Sequence, residues 1–261
     1  MNSNDKATEA LATTEKSTLL QSLIAATYGV YAWLVFIVCA LAALVCACCL
    51  PGLLRRRRWV TRFARLPFRL AFIPTEISGL EHLPETHSVV VANHASYLDG
   101  VILQAFLPPR FSYVIKGEVR KVPIVHFLLR RIGAHFVDRY SPGASARDAR
   151  TLLRSANNGQ SLAFFPEGTF SAHPGLAAFR PGAFAAAIRA EVPVVPVVIR
   201  GARRILPAER MLPRRAALTI DILATLDPQS FSNSKALAEA ARQRILSVLD
   251  EPDLLAETPA A

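Results

Sequence analysis

A histidine and an aspartate stand close together in the stretch Asn93-His94-Ala95-Ser96-Tyr97-Leu98-Asp99. A neutral imidazole that gives one nitrogen to a carboxylate can take up a proton at the other, which is how a general base works. Five positions correspond to about 140° around a regular helix, so the two side chains would not share a helical face. We therefore expect His94 in a strand-to-helix turn, with Asp99 in the first helical turn and reaching back. Taken alone the fragment is weak, because a lone histidine is more often structural.

A second segment, Phe164-Phe165-Pro166-Glu167-Gly168-Thr169, has the residue types of a tight turn that could hold a ligand. Such a turn can present backbone N–H groups together with the Glu167 carboxylate and the Thr169 hydroxyl. An ordinary Pro-Glu-Gly turn with no ligand is the competing interpretation.

Two more segments carry chemistry of a different kind. Lys116 opens a stretch that ends with Asp138 and Arg139, and a guanidinium there could hold a phosphate through two hydrogen bonds. A surface ion pair fits that stretch as well. The run Val-Pro-Val-Val-Pro-Val at 192–197 suggests a loop entering an edge or irregular strand, because each proline lacks an N–H donor. It could line an apolar channel, and plain core is the alternative.

These segments need a scaffold, and the chain from residue 75 to 255 predicts one. Short apolar strands alternate there with helical patterns, which indicates an α/β domain with a mostly parallel, mixed sheet flanked by helices. Sites in such sheets form where strands end. The predicted strands are 88–92, 111–116, 134–138, 162–165, 194–199 and 218–223, and the predicted helices are 97–107, 123–132, 144–156, 182–190 and 234–249.

The first 50 residues have a separate character. Residues 1–27 form a polar tail, whose first 16 residues we expect to be disordered. Residues 28–50 are almost continuously apolar, with Tyr28, Tyr31 and Trp33 near the start, as in a helix that crosses a bilayer. The run is longer than the apolar part of a cleaved signal peptide, and no basic residues precede it.

Residues 51–74 combine seven arginines with Trp, Phe, Leu and Ile, a composition that suits an amphipathic helix in the lipid headgroup region. Solvated arginines in a plain linker are the alternative. Pro67 would kink or divide the helix. Because basic residues flanking a span stay in the cytoplasm, we expect a single-pass protein of the cell inner membrane with its C-terminal domain on the cytoplasmic side.

The charge and the cysteines limit the classes of function. The chain has 261 residues and a formal net charge of +10, which favours anionic partners such as an anionic membrane surface. A nucleic-acid partner is not expected, because Arg200–Arg215 lacks the interleaved aromatic residues that stack on bases. All four cysteines lie in the apolar run without a histidine or further cysteine at zinc spacing, so we predict no metal site and no cofactor.

The order and spacing of the four chemical segments resemble those of the 1-acylglycerol-3-phosphate (lysophosphatidic acid) acyltransferases and the wider glycerolipid acyltransferase family. That family shows His-x4-Asp, a Gly-to-Asp-Arg block, Phe-Pro-Glu-Gly-Thr and a Val-Pro-hydrophobic-Pro block. All four occur here in that order, within about residues 75–225. The resemblance implies transfer of a fatty acyl group from acyl-CoA or acyl carrier protein to the free hydroxyl of a lysophospholipid, in phospholipid biosynthesis.

The resemblance also implies roles for individual residues. His94 and Asp99 would be catalytic, with His94 as the general base. A second set would bind the acceptor and its phosphate: Asn93, Ser96, Lys116, Arg139, Glu167, Gly168, Thr169 and Arg180. A third set would shape the acyl-donor site: Val192, Pro193, Val195 and Pro196.

One position departs from the family pattern. An arginine usually follows Glu-Gly-Thr, whereas this chain has Phe170, and Arg180 is the nearby candidate to replace it. The acceptor could therefore be another lysophospholipid or a lyso-aminolipid without that phosphate. A lipid or thioester hydrolase is a further alternative, although no serine lies in a Gly-x-Ser-x-Gly elbow.

Overall fold

The computed structural model describes residues 3–137, 154–155 and 159–256, with side chains from residue 20 onward. Seven strands of the described chain form one sheet in the order β1-β7-β6-β2-β5-β3-β4. The strands are β1 (Thr75–Ser78), β2 (Val89–Ala92), β3 (Phe111–Lys116), β4 (His135–Val137), β5 (Ser161–Phe164), β6 (Val194–Arg200) and β7 (Leu218–Ile222). The helices are α1 (Ser3–Cys49), α2 (Leu53–Leu70), α3 (Asp99–Phe106), α4 (Pro123–Arg131), α5 (Gly182–Ala190), α6 (Ala202–Ile205) and α7 (Ser234–Leu246).

The direction of the strands brings the chemical segments to one edge of the sheet. Five neighbouring strands are mutually parallel: β6, β2, β5, β3 and β4. β7 pairs antiparallel with β6, and β1 pairs parallel with β7. The prediction of a mostly parallel, mixed α/β sheet is thereby confirmed. Because β2 and β5 are adjacent and parallel, the turns that follow Ala92 and Phe164 lie side by side.

The core occupies both faces of this sheet. Val90 and Val195 belong to a cluster with Ile102 and Leu103 of α3, and their burial removes the apolar face of that helix from water. Val89 and Val91 face the opposite side, where α5 and α7 cover them. Burial on both faces explains why β2 is a run of valines instead of an alternating pattern.

The two N-terminal helices pack against each other. The Tyr28 and Tyr31 hydroxyls donate to the carbonyls of Ala71 and Leu70, at 2.9 Å each, so the start of the apolar segment meets the end of α2. At the other end α1 and α2 are joined by the short connection 50–52, and the Arg131 guanidinium of α4 donates to the Ala47 carbonyl of α1 at 2.8 Å. The helices therefore run antiparallel, side by side. In the described chain one stretch, Leu20–Cys49, is long and apolar enough to cross a membrane by length and composition.

Several sequence predictions differ from this structure. The predicted disorder at 1–16 differs from the structure, in which α1 begins at Ser3 and contains no proline before it ends at Cys49. α2 continues through Pro67, which lies in its last turn. Of the arginines predicted to meet lipid, Arg57 is buried and donates to Ile132 O, Arg110 O and Ser112 Oγ. β1 and α6 were not predicted, and the predicted helix 144–156 falls mostly outside the described residues.

Candidate active site

The imidazole of His94 and the carboxylate of Asp99 meet directly after β2. Asp99 lies at the start of α3 and is fully buried, while the His94 side chain is 19% exposed. One carboxylate oxygen, Oδ2, lies 2.8 Å from His94 Nδ1 and also accepts from the N–H groups of Ala95, at 2.6 Å, and Ser96, at 2.8 Å. The helical start places the carboxylate inside the turn, as the five-residue spacing predicted.

These three contacts decide where the imidazole carries its proton. Two backbone N–H groups can only donate, so Oδ2 of Asp99 is an acceptor, and Nδ1 of His94 has to be the protonated ring nitrogen. The lone pair is then on Nε2, the nitrogen that Asp99 does not contact. His94 is thus arranged to take up a proton at Nε2.

The neighbouring polar residues of the motif hold the turn itself. The Asn93 side chain is 2% exposed and forms two hydrogen bonds with Ile199 of β6, donating to its carbonyl at 2.9 Å and accepting from its N–H at 2.7 Å. Ser96 is fully buried and donates through Oγ to the Leu206 carbonyl at 2.7 Å. Both groups are taken up inside the protein, so the prediction that Asn93 and Ser96 bind substrate finds no support in these contacts.

Glu167 joins the second segment to the first. It is 7% exposed, and its Oε1 accepts the backbone N–H of His94 at 2.7 Å. Its Oε2 accepts the backbone N–H of Ala177 at 3.0 Å. Burial raises the pKa of Glu167 to about 7, while the two N–H donors and the nearby His94 oppose that rise. Glu167 therefore binds the protein backbone beside the imidazole, where the sequence predicted a contact with the acceptor phosphate.

Aromatic rings enclose the imidazole. The ring of Phe165 stacks on that of His94 with centroids 4.3 Å apart, and Phe170 meets it edge-on at 4.7 Å. Tyr97, which is 69% exposed, packs against Phe170 at 4.7 Å. The position that usually holds arginine in the family that the sequence resembles thus places an apolar ring against His94. The sequence marked Phe170 as unusual but gave no sign of this contact with His94.

The remaining predicted acceptor residues lie at or near the same edge. Gly168 has a φ of +85°, which glycine adopts without strain, and its N–H closes the turn onto the Phe165 carbonyl at 3.0 Å. Thr169 is exposed, as is Arg180, whose backbone N–H donates to Pro166 O at 2.9 Å. Lys116 ends β3 and pairs with Glu118 at 2.8 Å. Arg139 lies outside the described residues.

The Val-Pro segment is core, and two predictions about it are wrong. β6 is an interior strand between β7 and β2, not an edge strand. Val192 and Val195 are at most 2% exposed and belong to the two main core clusters, so they cannot line an open channel. Pro196 is tolerated because β7 pairs with β6 only from Val197 onward. Pro193 is half-buried and Pro196 buried, so neither lines a surface channel.

The family model described as Acyltransferase matches residues 74–200. A chloroplastic 1-acyl-sn-glycerol-3-phosphate acyltransferase of Brassica napus is 33% identical over 138 residues, 52% of this chain and 40% of that protein. One from Chlamydomonas reinhardtii is 35% identical over 191 residues, 70% of this chain and 55% of that protein. The chain thus spans about half the length of these relatives or less.

Two further comparisons concern a different acceptor and the fold. The lyso-ornithine lipid O-acyltransferase of Pseudomonas aeruginosa is 34% identical over 144 residues, which is 55% of this chain and 52% of that protein. The crystal structure of the 1-acyl-sn-glycerophosphate acyltransferase of Thermotoga maritima superposes with a TM-score of 0.73 and 23% identity, covering 93% of this chain and 99% of that one. At that identity the superposition shows the shared fold alone.

Proposed function

We propose that this protein, whose residues 74–200 match the family model described as Acyltransferase, transfers a fatty acyl group from a thioester to the free hydroxyl of a lysophospholipid. The acceptor in this proposal is 1-acylglycerol-3-phosphate, and the product is phosphatidic acid. The observation that carries the proposal is the His94–Asp99 contact of 2.8 Å, which leaves Nε2 as a base on a side chain that is 19% exposed.

The chemistry follows from the proton arrangement. His94 Nε2 takes the proton of the acceptor hydroxyl as the hydroxyl oxygen attacks the thioester carbonyl, and Asp99 stabilises the imidazolium that results. The tetrahedral intermediate then expels the thiolate, which takes the proton from the imidazolium. An ester and a free thiol are formed, the base is regenerated, and no covalent acyl-enzyme is involved. A general base in this role contributes roughly 100- to 10,000-fold to the rate.

The acceptor would be held by groups at the same sheet edge. Gly168 and Thr169 supply backbone and hydroxyl groups, and Arg180 and Lys116 supply positive charge, with Arg139 in the same role from outside the described residues. The donor would be acyl-CoA or acyl carrier protein. Its site is not formed by the Val-Pro segment, for the reason given above.

A lyso-aminolipid is the second candidate acceptor. Phe170 stands where the resembling family places arginine, and it lies 4.7 Å from the His94 ring. An apolar ring cannot bind a phosphate monoester, so the headgroup beside it would lack one. The Pseudomonas relative that is named for a lyso-ornithine lipid acceptor is consistent with this candidate.

The proposal includes attachment to the cell inner membrane through α1 as a single span, with the α/β domain on the cytoplasmic side. The arginine run after the apolar segment supports that orientation. A membrane-impermeant maleimide tests it on variants without the four native cysteines. Leu20→Cys should be labelled from the outer side, and Arg62→Cys only after permeabilisation. Protection of both residues in intact cells would place the two packed helices on one side of the membrane and end the single-span proposal.

The function itself is tested by offering a radiolabelled acyl donor with a panel of lysolipids and identifying each product by mass spectrometry. His94→Ala should lose at least about 100-fold in rate, whereas the control His82→Ala, whose ring contacts the Ile222 carbonyl away from the site, should not. An active and folded His94→Ala protein would refute the assignment. Acyl release without any lysolipid would instead identify a hydrolase.

A further inference from the structure

We propose that residues 251–254 are a positioning element of the active site, because they fasten the segment 175–177 that holds Glu167. We call the C-terminal one of these two segments, which begins at Glu251, the clasp. It lies outside residues 74–200, which match the family model. The proposal rests on the proposed function, since it assigns the clasp a part in the same reaction.

The clasp pairs with segment 175–177 through the backbone. Leu176 donates its N–H to the Pro252 carbonyl at 2.9 Å, and its own carbonyl accepts from Leu254 at 3.3 Å, so the two chains form a short parallel bridge. Glu251 adds a side-chain contact, because its Oε2 accepts the Gly175 N–H at 2.7 Å. Gly175 and Leu176 are therefore both hydrogen-bonded to the clasp.

A buried arginine reinforces this pairing. Arg242 of α7 is 1% exposed and donates to the carbonyls of Leu176 and Ala177, at 3.1 Å each. Its charge is balanced by Asp253 of the clasp, which accepts from the same guanidinium. A buried guanidinium needs such a partner, because an unpaired charge inside the protein is strongly destabilising. Arg242 thus joins the clasp to the carbonyl side of segment 175–177.

A second arginine anchors the residues just before that segment. Arg203 forms two hydrogen bonds with Glu251, at 2.9 and 3.0 Å. The same guanidinium donates to the carbonyl of Ser171 at 2.6 Å. Ser171 follows Phe170, the ring that packs against His94. The clasp therefore reaches the site along two routes, through Ala177 to Glu167 and through Ser171 to Phe170.

Gly175 shows how closely the two chains approach. Its φ is +138°, and a Cβ built there would lie 2.5 Å from side-chain atoms of Leu254 and 3.1 Å from the Pro252 carbonyl oxygen. Only a residue without a side chain fits against the clasp at this point. The close fit limits how far segment 175–177 can shift while the clasp is in place.

The consequence for the site runs through Glu167. The Ala177 N–H bonds one carboxylate oxygen of Glu167, and the other oxygen bonds the backbone N–H of His94. Loosening the clasp would move Ala177, release one side of Glu167 and let the histidine turn shift. Misplacement of a catalytic group by about 1 Å can cost on the order of 100-fold in rate.

The test compares Asp253→Ala with Asp221→Ala. Both remove an aspartate that pairs with an arginine, but Asp221 pairs with Arg200 at 2.7 Å, between β6 and β7. We expect Asp253→Ala to lower kcat by roughly 10- to 100-fold at equal folded fraction, and Asp221→Ala to leave kcat unchanged. If Asp253→Ala does not fold, Glu251→Ala replaces it, and Glu251→Gln should restore part of the rate because the amide oxygen of glutamine can still accept from Arg203.

The pH profile gives a readout that a purely structural contact would not change. Loss of the Ala177 hydrogen bond removes a group that lowers the pKa of Glu167. When kcat is plotted against pH, the acidic limb of the curve should therefore lie at higher pH in the clasp variants. His94 and Asp99 also face Glu167, and the profile of Asp221→Ala records their contribution.

Hydrogen exchange, measured without substrate, separates the two proposals. Peptides that cover 91–97 and 165–178 should exchange faster in the clasp variants than in Asp221→Ala. Unchanged exchange there, or equal kcat in clasp and control variants, would overturn the clasp. A wild-type protein without acyl transfer but with faster exchange in the variants would overturn only the proposed function.

Discussion

Asp99→Asn should lose far less activity than Asp99→Ala, because a single oxygen of Asp99 accepts the hydrogen bonds from His94 and from the Ala95 and Ser96 backbone. Oδ2 accepts from His94 Nδ1 and from the N–H groups of Ala95 and Ser96, at 2.6–2.8 Å. An asparagine has one carbonyl oxygen, and three donors select the rotamer that places this oxygen at the Oδ2 position. The imidazole would then keep its proton on Nδ1 and its lone pair on Nε2.

The loss can be worked from the hydrogen bonds. A bond to a charged group contributes about 1.5–3 kcal/mol, against about 0.5–1.5 kcal/mol for a neutral pair. Asp99→Asn should therefore lose on the order of 1–1.5 kcal/mol of imidazolium stabilisation, or about tenfold in kcat. Its NH2 group would take the place of Oδ1, a buried atom without a hydrogen-bond partner in the described structure, and stability should fall by about 1–3 kcal/mol.

Asp99→Ala provides the contrast. It removes the acceptor from all three donors and leaves the ring free to turn, so the loss should approach the roughly 100- to 10,000-fold expected for the base itself. The assay is the appearance of free thiol at saturating donor and acceptor, normalised to the folded fraction from circular dichroism. Equal losses in Asp99→Asn and Asp99→Ala would refute the reasoning that one oxygen and its three donors determine the tautomer.

Two further predictions concern neighbours of the pair. Burial raises the pKa of Glu167 from 4.5 to about 7. Its contribution to stability is therefore complete below about pH 4.5 and lost as pH rises to about 7. Glu167→Gln should lack this fall, so its free energy of unfolding in urea should decline by about 3 kcal/mol less over that range; parallel curves would contradict the burial argument. Phe170→Arg should favour 1-acylglycerol-3-phosphate over a lysolipid without a phosphate monoester. The ratio of the two kcat/KM values should rise by roughly tenfold, which corresponds to one charged hydrogen bond. An unchanged ratio would show that position 170 does not contact the headgroup.

The sequence alone determined the features that depend on nearby residues. β3 and α5 have the predicted bounds, Phe111–Lys116 and Gly182–Ala190, because apolar periodicity and flanking turn residues are local signals. His94 and Asp99 are five residues apart. When a strand ends before His94 and a helix begins at Asp99, the turn between them brings the two side chains into contact. The alternation of strands with helices was sufficient for the α/β class.

Only the tertiary structure decided which distant residues meet. Strand order depends on pairings between segments far apart in the chain, so the sequence could not show that β7 runs antiparallel beside β6 and makes the Val-Pro segment core. Glu167 reaches the His94 N–H across 73 residues, and Asp253 reaches the segment that holds Glu167 through Arg242. The partner of a carboxylate cannot be read from the sequence, because it depends on which backbone N–H groups the fold leaves without a backbone acceptor.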